Sequence, residues 1–219
     1  MAAPRTPAST PAPTAPAPHV PSALEANLGL RERKKLRTRE SIRQAMYRLV
    51  TEQGFESTTI EQIAAAAEVS QSTVFRYFPT KEDIVLSDEY DPLLRDAFRA
   101  RPAEEPPLVA LRRAVTGTMR VLHLEIAEEL SLRLRLVRHN PQLRARMFQG
   151  MDTSANVLLP VLAERTGRPE DDFELRVVLG AVMGALTQAL FDWVDRDGVD
   201  DLGQTVDRAL EVLERGLEL

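Results

Sequence analysis

From Leu30 onward, apolar residues recur at helical spacing and nowhere alternate, and this limits the possible folds more than any other feature of the chain. Ile42, Ala45, Met46, Leu49 and Val50 fall at i, i+3, i+4, i+7 and i+8, one face of an amphipathic helix. No run of β-branched residues alternates with polar ones, so the chain is expected to be all α. The preceding residues differ, with seven prolines before Ser22 in a stretch of Ala, Pro, Thr and Ser. Proline removes backbone donors, and few large apolar groups are present to offset ordering entropy. Residues 1–28 are expected to be a disordered tail, a partner-binding polyproline segment being the alternative.

Short punctuated helices come first and long ones follow. Gly54 is placed to end the first helix. Thr58 with Glu61 forms a capping-box pattern ahead of Ile60, Ile63, Ala64 and Ala67. Glu68-Val69 makes a turn, Ser70 is placed to cap the next helix, and Pro79 ends it. Thr80-Lys81-Glu82-Asp83 then opens another helix with acidic residues in its first turn. Further on, Pro92, Pro102, Pro106-Pro107, Pro141, Gly167-Arg168-Pro169 and Asp197-Gly198 mark breaks or kinks. The helices expected between them cover 82–101, 107–138 (as two), 141–166, 170–196 and 201–217, about nine in total with those before. The expected organisation is a tail over 1–28, a three-helix head with a helix-turn-helix over 30–80, and a helical bundle over 81–219.

Charge separates head from bundle. The chain carries a net −5, yet Arg31 to Lys81 hold ten Lys/Arg against six Asp/Glu, a local +4. Residues 1–30 sum to zero, so residues 82–219 carry −9. A basic segment on an acidic body fits a DNA-binding head whose companion domain stays off the duplex. There is no cysteine, hence no disulfide, thiolate nucleophile or cysteine-ligated zinc. His19, His123 and His139 lack ligand spacing, so neither metal nor cofactor is expected. No apolar run is read as approaching the ~18 residues of a membrane span, and no signal-peptide core is present. A soluble, cytoplasmic protein is the expectation.

A recognition helix presents short polar and basic side chains to the major groove from its N-terminal end. In Gln71–Phe78, helical periodicity turns Val74 and Phe78 inward. Gln71, Ser72, Thr73, Phe75 and Arg76 then face outward as candidate base contacts: glutamine suits adenine, arginine guanine, and an apolar ring the thymine methyl. Candidate phosphate contacts are Thr58, Thr59, Tyr77 and Lys81, with Arg37 from the basic run Arg31–Arg39. The competing reading of these residues is capping and ordinary surface polarity, and for Thr58 and Ser70 both readings hold together.

The stretch Gly54-Phe55-Glu56-Ser57-Thr58-Thr59-Ile60-Glu61-Gln62-Ile63-Ala64, followed by Ala67-Glu68-Val69-Ser70 and Phe75-Arg76-Tyr77-Phe78-Pro79-Thr80-Lys81-Glu82, resembles the N-terminal domain of TetR-family transcriptional regulators. The match spans about 55 residues and agrees in order, spacing and residue type. It departs at Glu68, where family members commonly carry glycine. A left-handed backbone there costs glutamate on the order of 1 kcal/mol. The resemblance implies a homodimeric repressor on double-stranded DNA at a palindromic operator, released when a small molecule fills a pocket and shifts the spacing of the two recognition helices.

For the body, the sequence offers candidates. Gly180 and Gly184 lie four apart within a helix, where each costs about 1 kcal/mol against alanine and calls for a close approach by a neighbour. With Thr187, Leu210 and Leu213 they are the expected dimer interface, close packing within the chain being the alternative. Met119, Leu122, Ile126, Met147, Met151 and Trp193 are the candidate pocket residues. Arg133, Arg135, Arg138, Arg144 and Arg146 are expected to pair with Glu125, Glu128 and Glu129 at helical spacing, or else to hold a ligand phosphate. The segment 132–167 is similar to a TetR subgroup with acyl-CoA-like ligand domains, one branch of which is associated with the mycofactocin system. That implies a long-chain acyl-CoA as effector, another apolar or aromatic small molecule being the alternative. A helical-bundle enzyme would need Glu-x-x-His pairs, whereas His123 and Glu125 are two apart. A non-DNA-binding adaptor would lack Gln71, Thr73 and Arg76.

Overall fold

The structure, a computed structural model, describes residues 29–87 and 90–217, apart from the side chains of 152–154. The tail expected over 1–28 lies outside the described residues. Within them every regular element is helical: α1 Leu30–Gln53, α2 Ile60–Ala66, α3 Gln71–Tyr77, α4 Lys81–Leu86, α5 Asp91–Arg99, α6 Pro107–His139, α7 Pro141–Thr166, α8 Phe173–Asp195 and α9 Leu202–Glu214.

Side-chain capping sets the short helices. Thr59 rather than Thr58 caps α2, its hydroxyl accepting from the Gln62 amide while the Gln62 side chain returns to the Thr59 amide. The expected Thr58–Glu61 box is thus shifted by one residue. Ser70 caps α3 by accepting from the Thr73 amide, as its position predicts. Thr80 and Asp83 form a second capping box on α4. The turn between α2 and α3 places Glu68 at φ 54, a left-handed conformation that disfavours any residue with a Cβ.

One expected boundary moves and another is found. The single helix read over 82–101 is two, α4 and α5. Ser87 takes an extended backbone that ends α4, and Pro92 sits in the first turn of α5, where its missing amide costs nothing. The two helices read over 107–138 are found, meeting at a kink where Ile126 leaves helical geometry (φ −139, ψ 28), and α6 names the pair. Neither proline nor glycine lies at the joint, so the chain bends without opening a loop.

Two apolar cores result. One fills the body between α5 and α9 around Phe98, Leu111, Leu122, Leu158, Leu179 and Trp193. The other gathers Ile42, Met46, Ile63, Val74 and Phe78 of the head. It is completed by Ile84 and Val85 of α4 and by Val137, Leu143 and Phe191 of the body, so apolar packing runs across the expected boundary at 80/81. One helix departs from the sequence reading: α8 is long and apolar enough, by length and composition alone, to cross a membrane.

Candidate nucleic-acid interface and internal cavity

The α2–turn–α3 unit leaves one polar face open. Val74 and Phe78 are fully buried, while Gln71, Ser72, Phe75 and Arg76 are exposed and Thr73 is half-buried. Phe75 holds half of its surface in solvent, an arrangement that gains nothing in an isolated head. The Arg76 guanidinium lies 5.3 Å from the Tyr77 ring centroid, which gives its long side chain a direction. The Ser72 and Thr73 hydroxyls each lie within hydrogen-bonding distance of the Ser70 hydroxyl, 2.8 and 2.9 Å.

The candidate phosphate contacts divide into two groups. Thr59 is exposed, Tyr77 is half-buried at the end of α3, and Arg37 is exposed on α1. Thr58 is not available: its side chain is buried and its hydroxyl donates to the Gly54 carbonyl at 2.8 Å. Lys81 is turned inward, donating to the carbonyls of Phe55 (2.8 Å) and Thr58 (3.1 Å), with its ammonium 4.3 Å from the Phe55 ring centroid. Its ammonium thus has a structural role, satisfying carbonyls of the α1–α2 loop. The basic run also contributes a brace. Arg39 donates to the Tyr77 carbonyl at 3.1 Å and covers the Phe78 ring at 4.4 Å, tying α1 to the end of α3. Only the spacing of Arg39 from the apolar face of α1 could have signalled this.

A cavity of about 630 Å³ lies between α4, α5, α6, α7 and α8. Met119, Leu122, Met147 and Met151 line it as expected, and Met183 makes four of the six methionines in the chain. Ile126 and Trp193 do not line it. Ile126 is buried at the α6 kink. Trp193 is buried in the body core, donating its indole N–H to the Asp200 carbonyl at 2.7 Å and meeting His123 edge-on. Tyr90 and Leu94, not foreseen, also line the cavity. With Phe98 they form an i, i+4, i+8 stripe that the sequence displays. Polar groups interrupt the apolar wall: Arg133, Asp91 and the Arg146–Asp83 ion pair (2.9 Å) that ties α7 to α4.

Several of the arginines find partners across helices. Arg138 makes a two-pronged contact with Asp195 (2.9 to 3.2 Å) and thereby lowers that carboxyl from its ordinary range. Arg133 donates to the Leu86 carbonyl at 3.2 Å. Of the expected pairing with Glu125, Glu128 and Glu129 at helical spacing, Arg133 acts on the Glu129 carboxyl one turn before it. Among the described residues no cluster of His, Asp and Glu is arranged to hold a metal.

On α8, Gly180 and Gly184 are exposed, and a Cβ added at either would meet nothing within 4 Å. Packing within the chain therefore does not account for them. Phe173 and Val177 extend the same exposed side. The other candidate interface residues face elsewhere. Thr187 lines the cavity and donates to the Met183 carbonyl, Leu210 is buried in the chain's own core, and Leu213 packs half-buried against it.

Known proteins share both halves. Residues 42–87 match the family described as bacterial regulatory proteins, tetR family, and residues 105–218 match the MftR C-terminal domain. The HTH-type transcriptional regulator TcmR of Streptomyces glaucescens is 34% identical over 180 residues, 78% of this chain and 80% of that one. Among solved structures, the fatty acid degradation regulator FadR from Bacillus halodurans superposes with a TM-score of 0.55 at 22% identity, covering 83% of this chain and 96% of its own. Thermus thermophilus FadR, a TetR-family repressor solved in complex with lauroyl-CoA, does so with a TM-score of 0.51 at 28% identity, covering 83% and 95%. The chain belongs to the TetR family of DNA-binding transcriptional regulators, with an MftR-type C-terminal domain.

Proposed function

We propose that the protein is a homodimeric repressor whose hold on a palindromic operator is released by a flexible apolar effector, with a long-chain acyl-CoA as the effector class. The observation that carries this reading is the cavity, because its wall includes the end of α4 and the start of α5, the elements that join the head to the body. Filling it must act on the segment that positions α3. A volume of about 630 Å³ lies within the roughly 300–1,000 Å³ of small-molecule sites. Four methionines give the wall a side-chain type that conforms to a flexible chain. The Arg146–Asp83 pair supplies a cation that a nucleotide phosphate can draw from its carboxylate. The lauroyl-CoA complex of T. thermophilus FadR supports the same class.

A second copy is the partner proposed for the open side of α8. Exposed glycines within a helix cost stability unless another backbone approaches them, and one seven-residue recognition helix reads too few bases to be selective alone. The test is a mobility shift with DNA selected from a random pool, repeated with lauroyl- and palmitoyl-CoA. Retarded DNA should carry an inverted repeat, Arg76→Ala should weaken binding about 10- to 100-fold, and acyl-CoA should release the complex. DNA that stays bound at micromolar acyl-CoA refutes the effector class, and an unaltered Arg76→Ala variant refutes the recognition face.

A further inference from the structure

A threonine inside a helix commonly turns its hydroxyl back to the carbonyl four residues earlier. Thr38, Thr51, Thr166, Thr187 and Thr205 all do so, at 2.8 to 3.3 Å. Thr116 donates instead to the Asp207 carboxylate at 3.1 Å. Thr118 does neither. It is 3% exposed, its hydroxyl has no hydrogen-bond partner among the described residues, and its side chain lines the cavity. Met119 and Leu122, which continue that wall along α6, carry no side-chain oxygen or nitrogen. A buried hydroxyl without a partner is costly, so one kept at a cavity wall points to a partner that arrives with the ligand.

The position of Thr118 in the cavity says which part of a ligand meets it. The exposed members of the wall, Arg146, Gln149 and Gly150, share one stretch of α7, which Arg146 ties to Asp83 of α4. This is the mouth, and it lies at the head end of the body. Along α6 the wall runs from Val137 back to Thr118, about five helical turns, so Thr118 stands at the remote and buried end. A charged headgroup held at Arg146 leaves the far end of its chain to reach Thr118.

We propose that Thr118 is a specificity-determining residue that hydrogen-bonds an oxygen at the far end of the effector's chain, so that the preferred effector is an acyl chain carrying a terminal hydroxyl or keto group. The proposal rests on the acyl-CoA reading above, which supplies the chain and its direction. A threonine hydroxyl both donates and accepts, and therefore serves either oxygen. A helical threonine has two χ1 settings, and rotation between them exchanges hydroxyl and methyl at the wall. A plain hydrocarbon end would seal the same hydroxyl away unpaired. Sites that hold a buried hydrogen-bonding group discriminate against a ligand that lacks the matching one.

Calorimetry on the full-length protein tests this with lauroyl-CoA and palmitoyl-CoA, each beside its ω-hydroxy counterpart. Wild-type protein should bind at least one ω-hydroxy chain about 10-fold or more tightly than the plain chain of the same length. Thr118→Ser, which keeps the hydroxyl, should keep that preference. Thr118→Val, close in shape but without the hydroxyl, should erase it. In the ligand-free protein Thr118→Val should also raise Tm, because it removes an unpaired buried group. Equal affinities in the wild type, or a preference that survives Thr118→Val, overturn the assignment of Thr118 and leave the acyl-CoA reading standing. If none of the four thioesters binds at micromolar concentration, the effector class is refuted and the assignment falls with it.

Discussion

The head and the body of this molecule are held together by different means. In the head, short helices are stopped and started by side chains bonded to the backbone. Thr59, Ser70 and Thr80 cap three N-termini, Arg48 reaches the Ala66 carbonyl, and Lys81 and Arg39 satisfy carbonyls on neighbouring segments. In the body, Asn140, Asp172 and Asp201 also cap helix starts, but the long helices are joined to one another through apolar contact and by ion pairs that span great sequence distance, such as Arg112 with Asp207 and Arg138 with Asp195. The first arrangement fixes a surface to small tolerances. The second leaves room for a cavity, because the spacing of long helices is set by the size of their side chains and not by directional bonds.

The sharpest way to break that comparison is to remove volume from each half. Phe78→Ala, at a fully buried ring in the head, should cost about 3–5 kcal/mol of unfolding free energy, read by chemical denaturation. Met147→Ala, whose side chain already borders empty space, should cost no more than about 1 kcal/mol. Equal losses would mean that the cavity wall is packed as tightly as the head.

A smaller effect probes the seam. Because burial holds the folded-state value of Glu129 above its unfolded one, its contribution to stability is fully present below about pH 4.5 and is lost as pH rises through about 7. Wild-type protein should therefore lose up to about 3 kcal/mol from this group between those values. Glu129→Gln should remove that slope, as measured by denaturation at several pH values.

The smallest effect lies in the recognition turn. Glu68→Gly relieves a left-handed backbone and should stabilise the head by about 1 kcal/mol, seen as a rise in Tm. A fall would show that the glutamate side chain makes a compensating contact.

Legibility in the sequence followed the same division. The helix-turn-helix could be read because its determinants are local: a cap at Ser70, a strained turn at Glu68, and inward Val74 and Phe78 within a few residues of one another. Where local signals competed, as between Thr58 and Thr59, the cap moved by one place. The structural role of Lys81 could not be read, because its partners, the carbonyls of Phe55 and Thr58, belong to a loop more than twenty residues away. In the body, four of the six named cavity residues line the cavity. Trp193 and Ile126 do not, since periodicity shows that a side chain is buried and not what it is buried against. The partners of Arg138 and Arg146 could not be read at all, because nothing in the spacing of α6 or α7 points to Asp195 or Asp83.

The shared core around Val137, Leu143 and Phe191 bears on how such regulators can be recombined. A chimera that joins this head to another body at the α3–α4 turn would cut through a packed interior and set Val74 and Phe78 against foreign side chains in place of Ile84 and Val85. Exchanging operator specificity between relatives calls instead for grafting the outward residues of α3 alone, or for transplanting the head together with the three body positions on which it rests.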